Sequence, residues 1–263
     1  MKRYVRIFLV LGQMAIKLFA QFRANTFGIV FSTSIWSFLV LSTIYLSTRQ
    51  VKIVFGYTPG ELLALGSVQV VFLGVFHTFV SKNMERMSEY VNQGFLDSLL
   101  LKPVDSQFMV SLSHHNYPAF FRIIIGVVAL WMLSSRGDIA INGYAGILGF
   151  AFMLIFSIFL TYSIWFIFVT LLIWYPQMDN VVEFLYHLNT ASRYPMNFYK
   201  EFGLFLVILF SPFAITLTVP LRVLTGKADM VEIFALIGTT VIFFIVARIF
   251  WGYALRNYTS ASV

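Results

Sequence analysis

The sequence predicts an all-α membrane protein, on its composition, its hydropathy and the length of its uncharged runs. Of 263 residues, 59% are apolar and only 11% charged, against about 45–50% and about 25% in an ordinary soluble domain. Mean hydropathy is +0.84. A water-soluble fold of this size must cover itself with polar groups, and this chain has too few. Its 30 Phe, 13 Tyr and 5 Trp suit lipid-facing surfaces and membrane interfaces. A soluble enzyme, a disordered tail and a secreted disulfide scaffold are excluded. With so few charges, a net +7 says less about nucleic acid, which is not expected as a partner, than the placement of those charges says about orientation. The absence of cysteine removes disulfides, thiolate metal sites and cysteine nucleophiles.

About 20 mostly apolar residues carry a helix across the hydrocarbon core, whereas barrel strands alternate in segments of about 10. Runs such as 29–46 and 202–221 are apolar on every face. Helices are expected, in one transmembrane domain over 1–263, with spans at 26–48, 60–81, 119–135, 145–172, 203–224 and 231–252.

The N-terminal 25 residues begin like a signal peptide. Yet Gln13, Lys17, Gln21 and Arg23 interrupt the apolar region, and no small-residue cleavage site follows. On a helix, Arg6, Gln13, Lys17 and Gln21 share one face, while Phe8, Leu11, Ile16, Leu18, Phe19 and Phe22 cover the rest. That pattern favours an amphipathic helix in the membrane plane, basic side toward anionic headgroups, over a slightly polar start to the first span. The first and second spans are uncharged over most of their length. The third is short, with Arg122 near one end, and the sixth has Arg248 near its end; both are expected to snorkel to the headgroups. The run 139–178 has no charge and is long enough for a hairpin. Its glycines (Gly143, Gly146, Gly149) lie at the start and Pro176 at the end. With no turn chemistry at its middle, one long helix is expected.

Six spans with both termini in the cytoplasm put 13 of the 18 basic residues inside, leaving Arg49, Lys52, Arg136, Arg222 and Lys227 outside. That bias is the one a correct topology shows. The outside loops are short. The larger inside loops are 82–118 and 173–202. In the first, Met84, Met87 and Val91 recur at helical spacing, and after Gly94 an apolar segment runs from Phe95 to a stop at Pro103. A compact amphipathic helix there suits docking into a groove on a soluble partner. A helix resting on the bilayer fits the spacing equally.

Gly94-Phe-Leu-Asp97 followed by Leu99-Leu-Leu-Lys-Pro-Val104 resembles the first cytoplasmic loop of a class of type-2 ABC transporter permeases. Ser192-Arg-Tyr-Pro195 with Tyr199 beyond it, and Pro212 and Pro220 in the fifth span, are similar to further features of that family. The resemblance implies a permease subunit without ATPase activity of its own. Two such subunits, identical or paired with a related permease, would form the path through a bacterial cytoplasmic membrane, with two separate nucleotide-binding subunits attached below. It also implies a coupling helix between spans two and three that contacts the ATPase through Phe95, Leu96, Asp97, Leu100, Lys102 and Pro103. Arg193, Tyr194 and Pro195 would mark the second cytoplasmic loop.

Several chemistries are excluded. The only Gly-Lys pair, Gly226-Lys227, has Leu221 where a phosphate-binding loop needs its first Gly and Ala228 where it needs a hydroxyl. Neither H-E-x-x-H nor G-x-S-x-G occurs. Adjacent His114 and His115 point to different faces of a helix and read as loop histidines near an interface; His77 reads as an interfacial hydrogen-bonding group. No catalytic residue, cofactor or metal is expected. The 11 carboxylates fall in loops or at span ends, which argues against ion coupling at the midplane. That placement favours energy supplied from outside the chain, and the resemblance then implies an exporter of hydrophobic or amphipathic substrates; the alternatives are an ion-coupled secondary transporter or a structural membrane subunit. The path would carry scattered hydroxyls such as Ser32, Thr33, Ser34, Ser37, Thr43, Thr216 and Thr218, residues that equally serve helix packing.

Overall fold

The structure, a computed structural model, describes residues 2–50, 53–178, 180–201 and 204–258. Lys52 and residue 203, the expected start of the fifth span, lie outside the described residues. The elements in order are α1 (Lys2–Gln21), α2 (Arg23–Thr48) and α3 (Pro59–Phe76), which continues through a π-helical turn (His77–Ser81) into α4 (Lys82–Glu85). Then come α5 (Met87–Asn92), α6 (Phe95–Leu100), α7 (Ser106–Leu112) and a 3-10 turn (Tyr117–Phe120) leading into α8 (Phe121–Ser135). The chain finishes with α9 (Gly143–Thr170), a second 3-10 turn (Leu171–Ile173), α10 (Val181–Ala191), α11 (Met196–Glu201), α12 (Leu204–Leu224) and α13 (Met230–Arg256). Among the described residues there is no strand, only an isolated bridge between Val54 and Tyr57.

The protein is an all-α membrane protein. Six helical stretches are long and apolar enough to cross a membrane: Lys2–Gln21, Arg23–Thr48, Pro59–Asn92, Tyr117–Ser135, Gly143–Ile173 and Met230–Arg256. This set differs from the expected one at two places. It includes α1, and it omits α12, whose described apolar stretch, Phe210–Leu224, is shorter. Packing separates the two. The chain breaks at Phe22, and α1 turns away to lie on one end of the bundle, where Phe8 meets Phe79 and His115 and Tyr4 meets Phe108. Helix α12 instead runs along α9, with Pro212 and Pro220 inside it.

Helix α3 is the axis of the core, packed by α2, α8, α9 and α12. It starts on a reciprocal cap, in which Thr58 accepts from the Glu61 N–H and Glu61 accepts from the Thr58 N–H, with Pro59 at the first turn. Small residues let it touch α8: a Cβ on Gly126 would fall 2.7 Å from the Ser67 carbonyl oxygen, so only glycine permits that approach. Gly146 of α9 does the same against Leu224, where a Cβ would lie 2.7 Å from the carbonyl oxygen. The uncharged run 139–178 holds one long helix, α9, without a hairpin at its middle.

The two ends of the bundle differ. At one end, the loop end, lie α4–α7, α1 and the C-terminal part of α13. The opposite end carries ion pairs, Glu61 with Lys227 and Arg222 with Glu232, that tie the start of α3 and the turn between α12 and α13 together. The N-terminal helix and the end of α13 thus sit at the same end: Tyr4 receives the Asp105 N–H and Arg248 pairs with the Asp105 carboxylate.

Candidate functional site

The loop end is the only part of the described chain where several short helices leave the long bundle. Gly94 opens α6 with φ +70°, the left-handed region that favours glycine. The helix ends at Leu100, before Pro103. Asp105 then caps α7, accepting from the Phe108 N–H at 3.0 Å.

Helix α6 packs on α5 and α7 through its own apolar side. Leu96 is 0% exposed and belongs, with Leu99, to the same core as Met84, Met87, Met109 and Val110. The six residues expected to meet a partner therefore divide. Leu96 is buried within the chain and anchors α6; it offers no surface for docking. Asp97 and Leu100 are partly buried, while Phe95, Lys102 and Pro103 are exposed. Leu101, which the sequence reading did not single out, is 86% exposed, against 48% for Phe95. Its signal was present as the last apolar residue before a lysine and a proline, but spacing alone does not tell an inward leucine from an outward one.

The platform beneath α6 is polar and bonded. Asn83 brackets His114, accepting from its N–H at 2.8 Å and donating to its carbonyl oxygen at 2.9 Å. Arg86 donates to His114 Nε2, so the neutral ring carries its proton on Nδ1 and donates to the Tyr90 hydroxyl. Burial, and then the Arg86 guanidinium, push His114 down to about 4. His114 is therefore a locked structural group. The His115 ring packs among Phe8, Phe79 and Tyr117, and burial lowers it too. His77 contacts Ser81 at 2.8 Å and stacks on Tyr186. The π-turn from His77 to Ser81 sits at this contact, a distortion common at functional places in helices.

Two further ties connect the platform to the long helices. Arg248 of α13, expected to snorkel to the headgroups, pairs with Asp105 and also donates to Gln107 at 3.0 Å. Burial works to raise the Asp105 carboxyl, but hydrogen bonds from Arg248 and the Phe108 N–H outweigh it and hold the group below its usual value. Gln107 and Ser111 of α7 both bond to the Tyr162 hydroxyl of α9 at 2.9 Å, and Trp251 of α13 donates to Ser106 at 3.0 Å. Arg122, also expected to snorkel, has its Nε buried without a partner among the described residues, beside His77 and Tyr186.

The second inside loop is where the structure departs most from the sequence reading. Helix α10 begins at the loop end, where Phe184 meets Phe168 and the Tyr186 hydroxyl donates to Glu85 at 2.6 Å. Arg193 then donates from Nε to Gln69 at 3.2 Å. Gln69 is ten residues, about 15 Å, along α3 from Pro59. Asn197 donates to the Phe55 carbonyl oxygen at 3.2 Å, beside Arg222 and Lys227 at the opposite end. Residues 181–197 thus run along the bundle, from Glu85 past Gln69 to Phe55, and Arg193 meets the middle of α3. The sequence reading missed this because an eleven-residue helix is too short to register as a span. Tyr199 is buried and stacks on Phe210.

Four of the hydroxyls expected along a path are turned back on their own helices. Thr33 bonds to the Val30 carbonyl, Ser37 to Thr33, Thr43 to Leu39 and Thr216 to Phe213. Thr218 Oγ1 is buried without a partner among the described residues.

A bundle of long apolar helices with short helices anchored at one end defines a multi-pass integral membrane protein. A family model described as "ABC-2 family transporter protein" matches residues 31–262, and the chain belongs to that family. A search of curated proteins finds no match.

Proposed function

We propose that this ABC-2 permease serves an ATP-driven exporter of hydrophobic or amphipathic molecules, powered by two separate ATPase subunits that dock on α6 and the turn after it. A second permease, identical or related, completes the path. The loop end is cytoplasmic, which puts both termini inside a bacterial cytoplasmic membrane, and α1 lies in the membrane plane. The observation that carries this reading is the division of the α6 segment. Phe95, Leu101 and Lys102 face outward, while Leu96 and Leu99 fix the helix to the chain core. A push on the outer face is transmitted inward, because α7 is tied to α9 through Tyr162 and to α13 through Arg248 and Trp251.

The interior supports an energy source outside the chain. Glu61, Glu85, Asp105 and Glu232 sit in caps and ion pairs near the bundle ends. The charge carried to mid-depth is Arg193, with neutral Gln69 as its partner; a lone cation there does not hold a proton or sodium ion. The test is reconstitution. The purified chain should hydrolyse no ATP, and hydrolysis that responds to substrate should appear only after a nucleotide-binding subunit is added. Contaminant-free hydrolysis by the chain alone would refute the assignment.

A further inference from the structure

We propose that the cavity between α1, α7, α9 and α13 holds one hydrocarbon chain of an anionic amphiphile drawn from the membrane leaflet at the loop end. The cavity measures about 530 Å³, inside the range of roughly 300–1,000 Å³ typical of small-molecule sites. Its walls are aromatic and aliphatic: Phe8, Phe79, Phe108, Ile158, Phe159 and Phe244. Phe159 and Phe244 meet edge to face, 6.0 Å between ring centres.

The polar side chains on its lining are already occupied with one another. Arg248 binds Asp105 and Gln107, Gln107 donates to Tyr162, and Tyr162 shares a hydrogen bond with Ser111. A satisfied polar edge makes no demand for an ion, and apolar walls give water too few partners to hold it. What fits such a space in a membrane protein is hydrocarbon, whose transfer from a bilayer costs no exposure to water. The headgroup follows from α1. Phe8 forms part of the wall and Tyr4 sits at the rim on the Asp105 N–H, while the exposed Lys2, Arg3 and Arg6 occupy the same turns. An amphiphile with its tail in the cavity places its headgroup among these cations, which favours a negative charge.

This inference rests on the reading of α1 as an in-plane helix, but it is measured on the permease alone, so failure of ATPase docking leaves it untouched. The purified full chain is placed in phosphatidylcholine vesicles containing phosphatidylglycerol with a photoreactive group at one chain end. Adducts are mapped by mass spectrometry. Adducts at Phe8, Phe159 and Phe244 should saturate with probe and be displaced by excess unlabelled phosphatidylglycerol, several-fold better than by phosphatidylcholine. Adducts at exposed residues of α2, Trp36 and Phe38, should rise without saturating. Ile158→Trp fills the cavity and should cut the cavity adducts about tenfold while leaving those on α2 unchanged. Cavity adducts that rise linearly like those on α2 overturn the site, with or without a foldable Ile158→Trp variant. So do cavity adducts that a folded Ile158→Trp variant leaves unchanged. Equal displacement by phosphatidylcholine overturns the anionic headgroup.

Discussion

Replacing Leu101 by Ala probes the coupling contact without touching the fold. Leu101 is 86% exposed, so the isolated permease gains almost nothing from its side chain. Burying a leucine fully is worth about 1.5–3 kcal/mol. If an ATPase covers it, Leu101→Ala removes about 2 kcal/mol of docking energy and weakens the complex roughly thirtyfold. Phe95 is 48% exposed, with half of its surface already committed to this chain. Phe95→Ala should accordingly cost about 1 kcal/mol of docking, roughly fivefold. Leu96 is the internal control. It is 0% exposed, and a buried Leu→Ala change costs about 2–5 kcal/mol of stability. Leu96→Ala should therefore lower the melting temperature, which the two surface changes leave in place. The assay is co-purification of the nucleotide-binding subunit at matched membrane expression, with substrate-stimulated ATP hydrolysis as the second readout. Unchanged recovery and unchanged hydrolysis in both Leu101→Ala and Phe95→Ala would refute docking on this face and leave α6 as a helix resting on the bilayer.

Three more outcomes are expected. His114 has its folded value depressed from 6.5 to about 4, so its contribution to stability is complete above about pH 6.5 and is lost as pH falls toward 4. The drop in melting temperature from pH 7.5 to pH 5 should thus be smaller in His114→Gln than in the parent; equal drops would sink the argument. Because the chain contains no cysteine, single cysteines report topology directly: Asn197→Cys should be labelled from the same side as Lys227→Cys and opposite to Lys102→Cys. Labelling of position 197 from the Lys102 side would return residues 181–197 to a loop. Finally, Arg193→Leu removes a mid-depth charge whose partner is a neutral amide, so the melting temperature should hold or rise while coupled transport falls; a large loss of stability would show that Arg193 is a structural strut instead.

The fold class was legible because lipid imposes a rule that reads along one chain: about 20 residues without charge, every backbone group bonded within the helix. For the same reason 139–178 read as one helix, there being no residue in its middle able to turn. Local punctuation was equally readable. Gly94 and Pro103 bound α6 through backbone restrictions that belong to those two residues and need no partner.

What only the tertiary structure decided depends on residues far apart in sequence. Leu96 and Leu101 are both leucines five positions apart; that one is sealed and the other bare follows from where α5 and α7 lie. Arg248 finds Asp105, 143 residues away in sequence, only because α7 lies beside the end of α13. The depth of α10 was invisible to hydropathy, since a helix of eleven residues fails any spanning test. Tyr186 of α10, Arg193 after it and Asn197 of α11 find Glu85, Gln69 and the Phe55 carbonyl only once the bundle has placed those partners along the path. Hydrophobicity along the chain therefore fixes which segments enter the membrane, while the depth, facing and pairing of the polar residues are set by neighbours that only packing supplies.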